Sequence, residues 1–191
     1  MSINLAVFAS GSGTTLQAVI DSIETGKLDA KITIVVSNNP DAYALERARK
    51  AGIPVYAISS KSTEDIDSEL SEVLEDYEID LIVLAGYLRK IGDKLLEKYR
   101  IINTHPSLLP KFGGKGMHGM HVHQAVIDAK ESESGVTVHF VNGEYDSGSI
   151  IRQTTVPVLE TDDAESLSAK VQKAEKIQLI EVLNNFSKGV I

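Results

Sequence analysis

The chain has 191 residues, 42% hydrophobic and 24% charged, and its lack of cysteine excludes a disulfide scaffold, Cys-ligated zinc or iron–sulfur sites and a thiol nucleophile. Nineteen Lys and Arg against 27 Asp and Glu give a formal charge of -8, a field that repels polyanions, so no nucleic-acid partner is expected. No apolar run approaches the ~20 residues that cross a bilayer and the start lacks a basic leader, so a cytoplasmic protein without membrane contact, folded as one domain over residues 1–191, is expected.

Ile3 to Ala9 is an apolar run that stops at Ser10-Gly11-Ser12-Gly13, after which Leu16, Val19, Ile20 and Ile23 recur at helical spacing: strand, tight turn, helix. Ile32 to Val36 predicts a second strand, ended by Ser37-Asn38-Asn39-Pro40-Asp41, with Asn39 as the cap of a helix whose first turn holds Pro40. Gly52 closes that helix before a third strand, Ile53 to Ile58. A capping box of Ser62 and Asp65 opens the next helix, with Ile66, Leu70, Val73, Leu74 and Tyr77 on one face. Asp80 to Ala85 is apolar enough for a central strand covered on both sides.

The second half changes character. Ile101-Ile102-Asn103 predicts a fifth strand, followed by a Pro- and Gly-rich loop from His105 to Met120 and a short helix with Val122, Ala125, Val126 and Ala129 along its apolar edge. Val136, Val138 and Phe140 alternate with Thr137, His139 and Val141, and a turn-rich connection leads to Ile150–Val158, so an antiparallel pair is expected. The last helix begins near Asp162 with Glu165 as its N3 partner and turns Leu167, Val171, Ala174 and Ile177 inward. Strands alternating with helices, then a hairpin, predict an α/β fold: a twisted, mostly parallel sheet with helices on both faces and an antiparallel C-terminal strand pair.

Gly11-Ser12-Gly13-Thr14 meets the requirements of an anion cradle, because glycines let the backbone approach closely, hydroxyls add donors and the helix start presents free N–H groups. A phosphate is the natural guest; a plain glycine turn is the alternative. Leu16 stands where G-x-G-x-x-G needs its third Gly, and no G-x-x-x-x-G-K-[ST] occurs, which disfavours dinucleotide and nucleoside-triphosphate loops. In Asn103-Thr104-His105-Pro106-Ser107-Leu108-Leu109-Pro110 a buried strand delivers an amide and an imidazole to its carboxyl end, and the prolines stiffen the loop that carries the imidazole. That pair suits acyl chemistry, with Asn103 donating to a developing oxyanion while His105 moves a proton, although a loop histidine beside Pro is also an ordinary structural feature. Asp146 either orients His105 or closes an Asx turn before Ser147-Gly148.

Ser10-Gly-Ser-Gly-Thr-Thr-Leu-Gln, Leu84-Ala-Gly-Tyr-Leu-Arg, Asn103-Thr-His-Pro-Ser-Leu-Leu-Pro, Gly135-Val-Thr-Val-His-Phe and Asp146-Ser-Gly, in this order, resemble the phosphoribosylglycinamide formyltransferases, a branch of the folate-dependent formyltransferase family. The likeness extends from residue 4 to about residue 176. It implies transfer of the formyl group of 10-formyltetrahydrofolate, a co-substrate, to the amine of glycinamide ribonucleotide in purine biosynthesis, by a monomer or homodimer that needs no metal. It further implies that Asn103, His105 and Asp146 are catalytic, that Gly11, Ser12, Gly13 and Thr14 hold the substrate phosphate, and that Pro106 and Glu175 bind substrate. Leu84, Tyr87, Leu88, Arg89 and Val141, with Asp146, match the folate pocket, and His139 is an auxiliary residue. The N-terminal half would bind the ribonucleotide and the C-terminal half would carry the catalytic loop and bind folate.

By residue type alone, Glu175 reads as a solvated carboxylate, Arg89 as a surface charge and His139 as a core histidine. The loop from Lys111 to His123 departs from the family in its Gly and His content, and His118, His121 and His123 crowd together there. With no Cys and no carboxylate among them, a glycine-hinged substrate loop is the better expectation than a metal site. Within the family, a methionyl-tRNA formyltransferase would be expected to add a basic surface and a C-terminal domain, and a 10-formyltetrahydrofolate hydrolase an N-terminal regulatory domain. A silent nucleotide-binding module using only the glycine turn is the rival from another class.

Overall fold

In the computed structural model, which describes residues 2–58 and 65–191, the strand order is β3-β2-β1-β4-β5-β6-β7. The elements in chain order are β1 (Ile3–Phe8), α1 (Thr14–Glu24), β2 (Ala30–Ser37), α2 (Tyr43–Lys50), β3 (Val55–Ala57), α3 (Ile66–Glu75), β4 (Leu81–Leu84), α4 (Asp93–Lys98), β5 (Ile101–His105), α5 (Met120–Asp128), β6 (Glu133–Phe140), β7 (Ile150–Pro157) and α6 (Ala164–Ser187). β1 pairs in parallel with β2 and β4, and β2 with β3, whereas β6 and β7 run antiparallel. The mostly parallel sheet with an antiparallel C-terminal pair is therefore as expected. Two compact units can be distinguished, Met1–Ile102 with Leu183–Ile191, and Asn103–Val182.

In the first unit β1 is central, and Leu5, Ala6, Val7 and Phe8 are fully buried. All four residues of β4 are buried as well, the pattern of strands covered on both faces. The register between β1 and β2 shifts after Leu5, where Thr33 is the additional residue and its hydroxyl donates to the Leu5 carbonyl at 3.2 Å. The β1, β2 and β4 ends are cross-tied, Ala9 N–H to Val36 O at 3.0 Å and Ala85 N–H to Phe8 O at 2.8 Å, so the loops beyond these strands leave from one fixed platform.

Three details in this unit correct the sequence reading. Asn39 does not cap α2: its side-chain oxygen accepts from Asp41 N–H at 3.1 Å in an Asx turn, and the helix begins after Ala42. The cap of α3 is Asp65, whose carboxylate accepts from Ser68 N–H at 3.0 Å; Ser62, expected there, lies outside the described residues. α4 was not anticipated, since six residues are too few to show periodicity, and its start is capped from α3 by Asp67, which accepts from Lys94 N–H at 2.8 Å.

The core of the second unit is formed by Val126 of α5, Val136 of β6, Val156 of β7, and Leu167 and Val171 of α6, with Phe112, Ile127, Val158 and Ala174 packed against it. The stripe on α6 then continues at Gln178, not at Ile177, which is 55% exposed. The reason is local chemistry: the buried Gln178 amide donates to Arg152 O at 2.9 Å and Val136 O at 3.4 Å, a task no isoleucine performs. The N-terminus of α6 also differs from expectation. Asp163 accepts from Ser166 N–H at 2.8 Å and its own N–H donates to the Ser166 hydroxyl at 3.0 Å, a reciprocal cap in which Ser166 takes the place expected of Glu165.

Candidate active site

β5 ends in Asn103, Thr104 and His105, and β6 ends in His139 and Phe140, so both histidines are delivered by strands. His105 and His139 are almost wholly buried, with 4% and 2% side-chain exposure, and Asp146 is next at 11%. Asp146 adopts a left-handed conformation with φ 52. Its Oδ2 accepts from Gly114 N–H at 2.9 Å, while its Oδ1 lies 3.4 Å from His105 Nδ1, 3.4 Å from Asn103 Nδ2 and 3.6 Å from His139 Nε2. One carboxylate oxygen thus lies within 3.6 Å of all three side chains.

The tautomers follow from the partners. His139 Nδ1 faces Phe140 O at 2.8 Å, a carbonyl that can only accept, so the proton is on Nδ1. Nε2 is then free to accept from Asn103 Nδ2 at 3.1 Å, which fixes which end of the Asn103 amide faces inward. His105 Nε2 likewise faces a carbonyl, Phe112 O, at 2.8 Å. Its Nδ1 faces the Asp146 carboxylate, so both ring nitrogens of His105 stand opposite acceptors.

Burial pushes the Asp146 carboxyl up, but the hydrogen bond and charge of His105 and the Gly114 N–H outweigh it and hold the group well below the usual carboxylate range. His123, buried on α5, is pushed down by burial and by the nearby charge of His105, and its Nδ1 has no hydrogen-bond partner among the described residues. His118 and His121 meet edge to face, with ring centroids 5.7 Å apart. Among the described residues no group of three or more His, Cys, Asp or Glu side chains could hold a metal ion.

The segment after His105 is held from beneath. Thr137 Oγ1 donates to Ser107 O at 2.7 Å and accepts from Leu109 N–H at 3.1 Å and Gln153 Nε2 at 2.9 Å. Ser107 Oγ closes the turn on Lys111 O at 2.6 Å. Leu109-Pro110 is cis. Phe112, whose carbonyl receives His105, has φ 55.

In the first unit, Gly13 is the left-handed cap of α1, φ 69, with no side chain capping the helix. A Cβ there would come within 2.7 Å of Ala44, so the close approach of α2 requires glycine. Gly11 and Ser12 are exposed and Thr14 is half-buried. Of the residues matched to folate, Leu84 and Tyr87 are buried, Arg89 is half-buried and Leu88 is exposed. Tyr87 packs its ring edge to face on Phe8, and burial pushes its hydroxyl up to about 12.

The family described as formyl transferase matches residues 3–183 of this sequence. The chain belongs to the formyl transferase family. It is 40% identical over 185 residues to phosphoribosylglycinamide formyltransferase, chloroplastic, of Arabidopsis thaliana, covering 94% of this chain and 63% of that one, less than two thirds of that relative's length. It is 38% identical over 190 residues to phosphoribosylglycinamide formyltransferase of Haemophilus influenzae, covering 97% of this chain and 87% of the relative. The crystal structure of glycinamide ribonucleotide transformylase 1 from Symbiobacterium toebii matches with a TM-score of 0.91 at 37% identity, covering 98% of this chain and 89% of that one.

Within this formyl transferase fold, four of the residues singled out from sequence converge in one cluster: Asn103, His105, His139 and Asp146. Pro106 and Val141 are half-buried beside these positions in the chain, and Glu175 is half-buried on α6, next to Ala174 of the core. Three contributors were missed. Phe112 and Gly114 act through their backbones, which no residue pattern reveals, and Arg47 reaches the glycine turn from α2, with Nε donating to Ser12 O at 2.8 Å. The signal for Arg47 was its place on a helix following the second strand end, on the same side as the turn.

Proposed function

We propose that this formyl transferase moves the formyl group of 10-formyltetrahydrofolate to the amine of glycinamide ribonucleotide, a step of purine biosynthesis, as a cytoplasmic enzyme that is a monomer or homodimer. The observation that carries the reading is the single buried oxygen of Asp146 on which Asn103, His105 and His139 converge. Family membership and the names of the relatives support the substrates. The N-terminal half, with Gly11, Ser12, Gly13 and Thr14, holds the phosphate. The C-terminal half carries the chemistry, with Pro106 and Glu175 toward the ribonucleotide and Val141, together with Leu84, Tyr87, Leu88 and Arg89 of the first half, toward folate.

In this mechanism the substrate amine attacks the formyl carbon, and the carbonyl oxygen becomes an oxyanion. The Asn103 amide donates to it, and His105 does so by exchanging one of its two present acceptors, Phe112 O or the Asp146 carboxylate, for the oxyanion. The longer of the two Asn103 contacts, 3.4 Å to Asp146, is the one an oxyanion replaces at least cost, while the 3.1 Å contact to His139 keeps the amide aimed. Asp146 orients the ring through Nδ1 and, directly or through water, takes the proton that the attacking nitrogen loses. The oxyanion then re-forms the carbonyl as the bond from the formyl carbon to the folate nitrogen breaks, and that nitrogen takes up the proton Asp146 accepted and leaves as a neutral secondary amine.

The test is to incubate the protein with 10-formyltetrahydrofolate, with and without glycinamide ribonucleotide, and follow loss of the formyl donor by absorbance. Loss that requires the ribonucleotide is expected, and His105→Ala is expected to lower kcat at least ~100-fold with the fold intact. Loss independent of the amine would indicate hydrolysis instead, and no loss in either arm would sink the proposal.

A further inference from the structure

We infer that Arg47 is a positioning residue for the phosphate-bearing substrate, holding the glycine turn with its donors facing outward and setting a positive charge beside it; this rests on the function proposed above. An anion-binding turn has to hide its own carbonyl oxygens, because each one aimed at the guest repels it. Here every carbonyl from Ser10 to Gly13 is occupied. Ser10 O accepts from Asn39 Nδ2 at 3.4 Å, Gly11 O from Ala44 N–H at 3.0 Å, Ser12 O from Arg47 Nε at 2.8 Å and Gly13 O from Gln17 N–H at 2.9 Å. Among the described residues the N–H groups of Gly11, Ser12, Gly13 and Thr14 have no acceptor. The turn therefore offers a run of unpaired donors.

Of the four carbonyl partners, Arg47 is the one that brings charge. The half-buried guanidinium is oriented by three contacts: Nε on Ser12 O, Nη1 on Gln17 Oε1 at 3.1 Å, and its carbon 4.8 Å from the Tyr43 ring centroid. Among the described residues Nη2 has no hydrogen-bond partner, which leaves one N–H face of a fixed cation beside the open donors. A lysine could supply the charge but not the planar fork that serves Ser12, Gln17 and Tyr43 together. The chain carries a net charge of -8, so a positive group at this turn matters more than it would on a neutral protein.

The experiment titrates glycinamide ribonucleotide into wild type, Arg47→Met and Arg47→Lys by calorimetry, and measures KM for both substrates and thermal stability. Arg47→Met is expected to weaken ribonucleotide binding at least ~10-fold and raise its KM alike, with KM for the formyl donor unchanged; Arg47→Lys falls between. Should Arg47→Met fail to fold, Arg47→Gln, neutral but still a donor, takes its place with the same expectation. Equal ribonucleotide affinity in wild type and the neutral variant overturns the inference while leaving the function standing. So does an equal loss for both substrates, the mark of general damage. A wild-type protein that binds no ribonucleotide overturns both.

Discussion

Asp146 concentrates the site's polar contacts in one residue, and this has a pH consequence that can be signed. Its folded-state pKa is depressed, so its contribution to stability is present in full above the unfolded value of about 3.9 and is lost as pH falls through that value toward the folded one. Denaturant unfolding of wild type and Asp146→Asn between pH 7 and pH 3 should show the wild type losing more stability below about pH 4 than the variant. Parallel curves would remove Asp146 from the acid response. The type of this residue was legible in sequence, but not its competitor: the Asx-turn reading of Asp146 fails because its oxygens point to Gly114 N–H and the histidines. Asn142 provides the Asx turn instead, accepting from Glu144 N–H at 3.0 Å.

At the scale of elements, the Pro-rich segment after β5 depends on β6 for its shape. Thr137 offers one hydroxyl to three groups, and Gln153 of β7 adds a bond to Leu109 O at 2.9 Å. Thr137→Val keeps the volume but strands Leu109 N–H and Ser107 O in a buried place, which should cost about 2 kcal/mol or more by urea unfolding. It should also lower kcat, since Ser107 and Lys111 lead directly to the Phe112 carbonyl that holds His105. A change below about 0.5 kcal/mol would show that the loop keeps its shape without this tie. Strand and helix existence was readable because hydrophobic period is a property of many residues at once. The misreadings sit where one side chain chooses between partners. Asn39 turned to Asp41, Ser166 took the place expected of Glu165, and Gln178 displaced Ile177 because strand carbonyls stood opposite it.

Across the whole molecule, burial is uneven in a way hydrogen exchange can read. β1 is paired on both sides and buried throughout its second half, while β3, among the described residues, pairs with β2 alone and has half-buried and exposed side chains. The slowest exchanging amides are therefore expected in β1 and β4, and faster exchange in β3. Slower exchange in β3 than in β1 would contradict this distribution of stability. The family was legible from motifs in chain order, because each motif sets several residue types at fixed spacing. Their surroundings were not legible, because Arg47, Phe112 and Gly114 are chosen by position in space, two of them through backbone atoms alone.

Both acceptors that grip the ring of His105 are carried by residues in the left-handed region, Phe112 at φ 55 and Asp146 at φ 52. For a bulky aromatic such a conformation costs on the order of 1–3 kcal/mol, and it persists only where its surroundings over-determine it. The ring of Phe112 is anchored on the same apolar cluster that contains Val126, Leu167 and Val171. The imidazole is thus aimed by a spring, and the hydrophobic core of its own unit keeps the spring compressed. Loosening that core by a methyl group or two should let Phe112 relax and the ring drift long before the chain unfolds, so activity is the more sensitive gauge of packing at Val171 than melting temperature.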